Sequence, residues 1–234
     1  MGRMTWNDLL FMHWRVPEKA LQNLIPAGLE IDRFEGEAWL GVIPFYMTDV
    51  RPRWMPSAFA SSFAEVNVRT YVRHNGRPGV WFFSLDAASR FAVWAARRFF
   101  YLPYQFARMS THTRGGFVAY QSRRAATPEI RLACQYKPCG ASYRATAGSL
   151  DSWLTDRYCL FAANKRGQIF RGDIHHAPWP LQPAEAEVEI NTMTIPLGLA
   201  LPSEAPLLHF AKRLDVRAWA ITRSGSSTTP NRAG

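Results

Sequence analysis

Lysine is scarce in this chain. Lys19, Lys137, Lys165 and Lys212 are the only four, against twenty-four arginines in 234 residues. Chemistry that runs through a primary amine therefore has few places to sit. Cysteine is scarcer still. Cys134, Cys139 and Cys159 form an odd set with no CxxC pair, which argues against a disulfide scaffold and against a cysteine zinc centre. No stretch approaches about 20 apolar residues free of charge, and no apolar run follows a basic start. The expectation is a cytoplasmic protein that neither spans nor docks to a membrane. The six histidines, His13, His74, His112, His175, His176 and His209, show no HExxH or similar ligand spacing. Neither a Gly-rich phosphate loop nor a GxSxG elbow occurs, and "GRPG" and "TRGG" read as turns. No metal and no cofactor is expected.

Apolar and aromatic residues are plentiful. With 47% hydrophobic and 14% aromatic residues, the chain holds enough material for a core and is not globally disordered. The net charge of +10 is an arginine charge. Guanidinium forks suit carboxylates and phosphates, so the charge permits acidic ligands, nucleic acid or anionic surfaces without choosing among them.

The periodicities predict a short helix in "VPEKALQNLIP", bounded by Pro17 and Pro26, with Ala20, Leu21, Leu24 and Ile25 as its buried stripe. Two strands follow around a Glu35-Gly36 turn. "FAEVNVRTYVRHNGRPGVWFFSLDA" reads as a hairpin about Asn75-Gly76. Ser89 caps a second helix that ends by Pro103, with Phe91, Trp94, Ala95 and Phe99 on one side, read as packed. Strands are expected over 107–113, 116–123 and 130–136. A short helix running into a strand is expected at 149–161, and more strands in "GQIFRGDIHH", "AEVEINTMTI" and "LLHFAKRLDVRAWAI". About ten strands and two or three helices without β–helix–β repeats make a mainly β fold. The expected form is a curved, largely antiparallel, barrel- or cone-like sheet enclosing a pocket. No linker divides residues 1–222, which read as one domain. The tail 223–234 reads as disordered.

The stretch 63–72 places Val66, Val68, Thr70 and Val72 on one face and Glu65, Asn67, Arg69 and Tyr71 on the other. The polar row either faces solvent with an exposed ion pair or is enclosed. The neighbouring run of Val80, Trp81, Phe82, Phe83 and Leu85 wants cover on both faces, which favours enclosure. Tyr104, Arg157 and Tyr158 break apolar runs and join the candidate pocket. Between residues 87 and 128 no acidic residue occurs, while Arg90, Arg97, Arg98, Arg108, Arg114, Arg123 and Arg124 do. That segment reads as a solvated basic face. With its aromatics packed and no nucleic-acid motif present, nucleic acid is not expected as a partner.

"HWRVPEKALQNLIPAGLEIDRFEGEAWLGVIPF", "FAEVNVRTYV", "GVWFFSLDA", "LPYQFARM" and "WLTDRYCLF" occur in an order that resembles the YqjF-like family, domain of unknown function 2071. That family is similar in fold to acetoacetate decarboxylase, which implies a curved β shell around a central pocket. The decarboxylase forms a Schiff base through a lysine that follows a Tyr-Pro step. At the matching step here, "LPYQFARM", Tyr104 and Gln105 stand in the lysine positions, and neither forms an imine. The resemblance carries the fold and not that chemistry. The candidate pocket set is thus Glu65, Asn67, Arg69, Tyr104, Gln105, Arg157 and Tyr158. It is expected to bind a small, anionic, carboxylated molecule, with or without turnover, in a chain free to self-associate. The alternative is an interaction or structural role played by the Arg-rich surface.

Overall fold

The computed structural model describes residues 1–224. In chain order its strands are β1 (Gly2–Val16), β2 (Glu30–Ile31), β3 (Ala38–Pro52), β4 (Ser61–His74), β5 (Arg77–Ala87), β6 (Tyr104–Arg114), β7 (Phe117–Arg124), β8 (Arg131–Pro138), β9 (Cys159–Ala163), β10 (Ile169–His176), β11 (Leu181–Asn191), β12 (Leu207–Ala218) and β13 (Thr222–Arg223). Three α-helices, α1 (Glu18–Gln22), α2 (Arg90–Phe100) and α3 (Leu150–Thr155), interrupt them. The fold is mainly β, and all thirteen strands belong to one curved sheet.

Pairing runs β4–β5–β6–β7–β8–β11–β12–β1–β3 and back to β4, so the sheet closes a ring. β9 and β10 make a second path from β5 to β12. Among the described residues only β5–β6 and β5–β9 are parallel. The hairpin turns fall where their dipeptides place them. Asn75 and Gly76 have φ of 51° and 74° between paired His74 and Arg77, a left-handed two-residue turn that fits the twist of β4 and β5. Glu35 and Gly36 do the same between Phe34 and Glu37.

The shared wall β12–β1–β3–β4–β5 is covered on both faces. One face packs Leu10, Met12, Val42, Val66 and Val68 against Tyr120, Leu132 and Tyr136 of β7 and β8. The other packs Leu9, Phe11, Ile43, Phe45 and Phe63 against Trp179, Leu181 and Ala211. Each such side chain contributes about 1.5–3 kcal/mol when fully buried. Double cover explains why the long strand β1 is absent from the sequence expectations. Its residues from Leu9 to Trp14 are all buried, so no alternation marks them.

Helix α2 corrects one expectation. Ser89 caps it as expected, its Oγ accepting from the Ala92 N–H at 3.2 Å. Yet Phe91, Trp94 and Phe99 are 72%, 56% and 55% exposed rather than packed. The helix docks by its small side, through Val93 and Ala92, and the aromatic rings contact one another instead, Phe91–Trp94 at 5.8 Å and Trp94–Phe99 at 5.7 Å. Helical spacing marks an apolar side without saying which side meets the sheet. Arg124, read as part of a solvated basic face, is instead buried in a two-point ion pair with Asp86 of β5, at 2.9 and 2.8 Å. At the far end, Thr222–Arg223 pair with β10, and the Ser224 N–H donates to the Ile169 carbonyl. The rest of the expected tail lies outside the described residues.

Candidate functional site

The polar row of β4 is enclosed. Glu65 and Asn67 are 3% and 5% exposed, and Arg69 is half-buried. Register fixes what shares their face. Glu65 lies opposite Phe45 and Ala87, Asn67 opposite Ile43 and Leu85, and Arg69 opposite Gly41. Gly41 in turn opposes His13 of β1, and His13 opposes Leu207 of β12. Leu85 opposes Tyr104 at the start of β6. The face therefore gathers Glu65, Asn67, Arg69 and Tyr71 from β4, Tyr104 from β6, His13 from β1 and His209 from β12.

Two polar groups stand out at either end. At one, the Tyr104 hydroxyl donates to Glu65 Oε2 at 2.8 Å. Burial pushes the Glu65 carboxyl from 4.5 up to about 8, the Tyr104 hydrogen bond opposes that rise, and the Asp86 charge adds to it. Glu65 is thus a neutral acid near pH 7, with a proton of its own to donate.

About 13 Å along the strand, four residues at the usual rise, sits the second group. The Tyr71 hydroxyl donates to the Leu154 carbonyl at 2.7 Å and lies 2.7 Å from His13 Nε2. Arg69 Nη2 donates to the same hydroxyl at 3.3 Å and to the Leu154 carbonyl at 3.1 Å. The guanidinium also lies over the rings of Phe11 and Tyr71, at 5.7 and 5.6 Å. No carboxylate pairs with Arg69 among the described residues, and its Nε is buried without a partner. A partly desolvated cation in that condition favours an anion. Beside it, His209 Nε2 meets Asp151 Oδ1 at 3.0 Å, and Tyr143 donates to Asp151 Oδ2 at 2.8 Å. Burial lowers the pKa of both His13 and His209.

Three residues expected in the pocket lie elsewhere. Gln105 points away from Tyr104, because it opposes Asp86 in register, and its Oε1 accepts from Arg97 at 2.9 Å. Arg157 is buried but committed, with Nη1 on Asp32 Oδ2 at 2.7 Å and Nε donating to the Trp153 carbonyl at 2.6 Å. It lies against the Tyr71 ring at 4.9 Å, so Tyr71 stands in contact with both arginines. Arg157 and Tyr158 border a separate open cleft of about 420 Å³, where the exposed Tyr158 ring stacks on His176. Conversely, His13, His209, Asp151 and Tyr143 join the site unannounced. They come from three distant segments, since Tyr143 and Asp151 are eight residues apart, and only the ring closure brings them together.

No lysine reaches this face. Lys19 and Lys165 are exposed, Lys137 sits 3.4 Å from Glu185 and Lys212 2.6 Å from Asp8. Among the described residues no group of three or more His, Cys, Asp or Glu is arranged to hold a metal ion, and no helix is long and apolar enough to cross a membrane.

Comparison with known proteins places these features in a lineage. The model of a family described as an uncharacterized conserved protein, DUF2071, matches residues 3–215. The uncharacterized protein YqjF of Bacillus subtilis (strain 168) is 45% identical over 222 residues, covering 94% of this chain and 91% of its own. Among solved structures, the enduracididine biosynthesis enzyme MppR complexed with pyruvate superposes with a TM-score of 0.66 at 10% identity, over 95% of this chain and 90% of that one. An acetoacetate decarboxylase-like enzyme from Sphingomonas wittichii RW1 superposes with a TM-score of 0.64 at 14% identity, over 95% and 92%. At such identities the two structures establish the fold alone.

Proposed function

The chain belongs to the DUF2071 family, and from that premise we propose that it binds a small carboxylated organic molecule at the enclosed face of β4, with Arg69 as the carboxylate-holding cation. The observation that carries this reading is the state of Arg69. It is the one candidate arginine left without a carboxylate, walled by Phe11 and Tyr71 and backed by a buried Nε with nothing to donate to. A planar fork in that setting gains two charge-assisted hydrogen bonds from a carboxylate. At the other end, neutral Glu65 offers a proton to a ligand oxygen, held in place by Tyr104. Any turnover here runs without an imine, since no lysine shares the face. A protein of the same fold has been seen with pyruvate bound, which supports small carboxylates as first probes.

The test is a thermal-shift series of the whole protein with pyruvate, acetoacetate and larger carboxylates. A ligand at 100 times its Kd adds about 2.7 kcal/mol to stability. Arg69→Ala should abolish that gain, while Glu65→Ala or Tyr104→Phe should weaken it only for the larger carboxylates, which are long enough to reach the other end of the row. A carboxylate that stabilises Arg69→Ala as strongly as the parent protein would overturn the assignment.

A second reading has its own observation. The exposed Phe91, Trp94 and Phe99 sit on one helix with exposed Arg90, Arg97 and Arg98, in a segment without an acidic residue. Packed aromatics would leave nothing for bases or other rings to stack on. Their exposure removes that objection to an anionic macromolecular partner, although no nucleic-acid motif accompanies them. Salt-sensitive retention on heparin that disappears in the double variant Phe91→Ser, Trp94→Ser would favour this reading. Equal retention of the two proteins would dismiss it.

A further inference from the structure

The hydrogen bonds around Tyr71 decide the tautomer of His13. A tyrosine hydroxyl has one proton to give. That proton goes to the Leu154 carbonyl, which only accepts, at 2.7 Å. His13 Nε2, 2.7 Å from the same oxygen, must then be the donor. Nε2 carries the hydrogen, and in the neutral ring Nδ1 is a bare lone pair. His13 is 1% exposed and its Nδ1 has no partner.

His209 repeats the pattern. Its Nε2 faces Asp151 Oδ1 at 3.0 Å, and a carboxylate only accepts, so Nε2 donates. His209 is 3% exposed, and its Nδ1 is likewise bare and unpartnered. The two rings share one face. His209 opposes Phe11 and His13 opposes Leu207, which makes the histidines diagonal neighbours on adjacent strands. A third unpartnered acceptor, Asn67 Oδ1, lies two residues from Arg69 on that face.

An anion with only acceptor atoms answers Arg69 and leaves these three acceptors unmet. Arg69 Nη2 and His13 Nε2 touch the same Tyr71 oxygen, at 3.3 and 2.7 Å, so at most about 6 Å separates those two atoms, and the guanidinium and the imidazole are neighbours. An ammonium donor is disfavoured there, because the Arg69 charge is close and Asp151 is already committed to His209 and Tyr143.

We propose that the site selects hydroxy acids: the carboxylate meets Arg69, and a hydroxyl on the same molecule donates to the bare Nδ1 of His13 or His209. This rests on the carboxylate reading given above and narrows it, since oxo acids and unsubstituted acids lack the donor.

Isothermal titration of the whole protein with lactate, pyruvate and propionate, and with their five-carbon counterparts, separates the two claims. The hydroxy acid should bind roughly 10-fold or more tightly than either partner of equal length, the scale of one neutral hydrogen bond to an otherwise unmet buried acceptor. His209→Phe should lower that preference, and His13→Phe should do the same if it folds. Independently of any variant, nitrogen NMR of the parent protein should show an Nδ1 resonance of His13 or His209 moving on hydroxy acid addition and not on propionate addition. If all the acids bind alike, or no Nδ1 resonance responds, the hydroxy-acid assignment falls and the carboxylate site stands. If none of them binds, both fall.

Discussion

Replacing Glu65 by glutamine should change how stability depends on pH, and the structure gives the sign. The Glu65 carboxyl rises from 4.5 to about 8 because burial penalises its charged form. A folded-state value above the unfolded one means the native protein holds its proton more tightly. The stability this contributes is fully present below about pH 4.5 and is lost as pH rises through about 8. A displacement of that size corresponds to about 5 kcal/mol across the window. Glu65→Gln keeps the shape and the acceptor for Tyr104 but cannot ionise. Urea denaturation of both proteins at about pH 5 and about pH 9, read through their midpoints and slopes, checks this. The parent protein should lose several kcal/mol relative to the variant over that interval. Asp86 lies near and titrates in both proteins, so the difference isolates Glu65. Tyr104→Phe removes the one interaction that lowers the Glu65 value, so its loss of stability should start at the same pH as in the parent but continue to higher pH. Parallel pH profiles for parent and Glu65→Gln would refute the claim that this carboxyl is enclosed and neutral.

Other outcomes follow from the same geometry. Asp86→Ala leaves the buried Arg124 guanidinium alone and should cost about 3–5 kcal/mol, measured by the same denaturation. Gly41→Ala places a Cβ 2.8 Å from Ile43 Cδ1 and 3.0 Å from His13 Cδ2. It should displace the His13 ring, cost roughly 1–3 kcal/mol and shift the His13 nitrogen resonances, with unchanged resonances counting against the contact with Tyr71. Borohydride reduction in the presence of pyruvate or acetoacetate should leave the mass of the protein unchanged, because all four lysines sit outside the site. A stable adduct at any of them would contradict that placement.

Much of the fold is legible in the residues. The dipeptides Asn75-Gly76 and Glu35-Gly36 set left-handed turns through local sterics alone. Ser89 caps α2 by a bond within one turn, and the alternation of β4 separates its valine row from Glu65, Asn67, Arg69 and Tyr71. Those are short-range effects, and short-range effects are written in neighbouring letters. The signals fail where long-range packing decides. β1 is invisible because both its faces are covered, and the aromatics of α2 stay outside because Val93 and Ala92 take the contact with the sheet.

The candidate site divides the same way. Sequence by itself determined that Glu65, Asn67 and Arg69 project together, since a strand alternates sides regardless of its surroundings. It also determined that no lysine stands at Tyr104 or Gln105. Only the tertiary structure decided that Arg157 is consumed by Asp32 while Arg69 is not, and that His13 and His209 join the site with their Nδ1 atoms bare. Those facts depend on which strands the ring closure makes neighbours. That pairing is set by burial summed over the whole sheet, which no single stretch of residues contains.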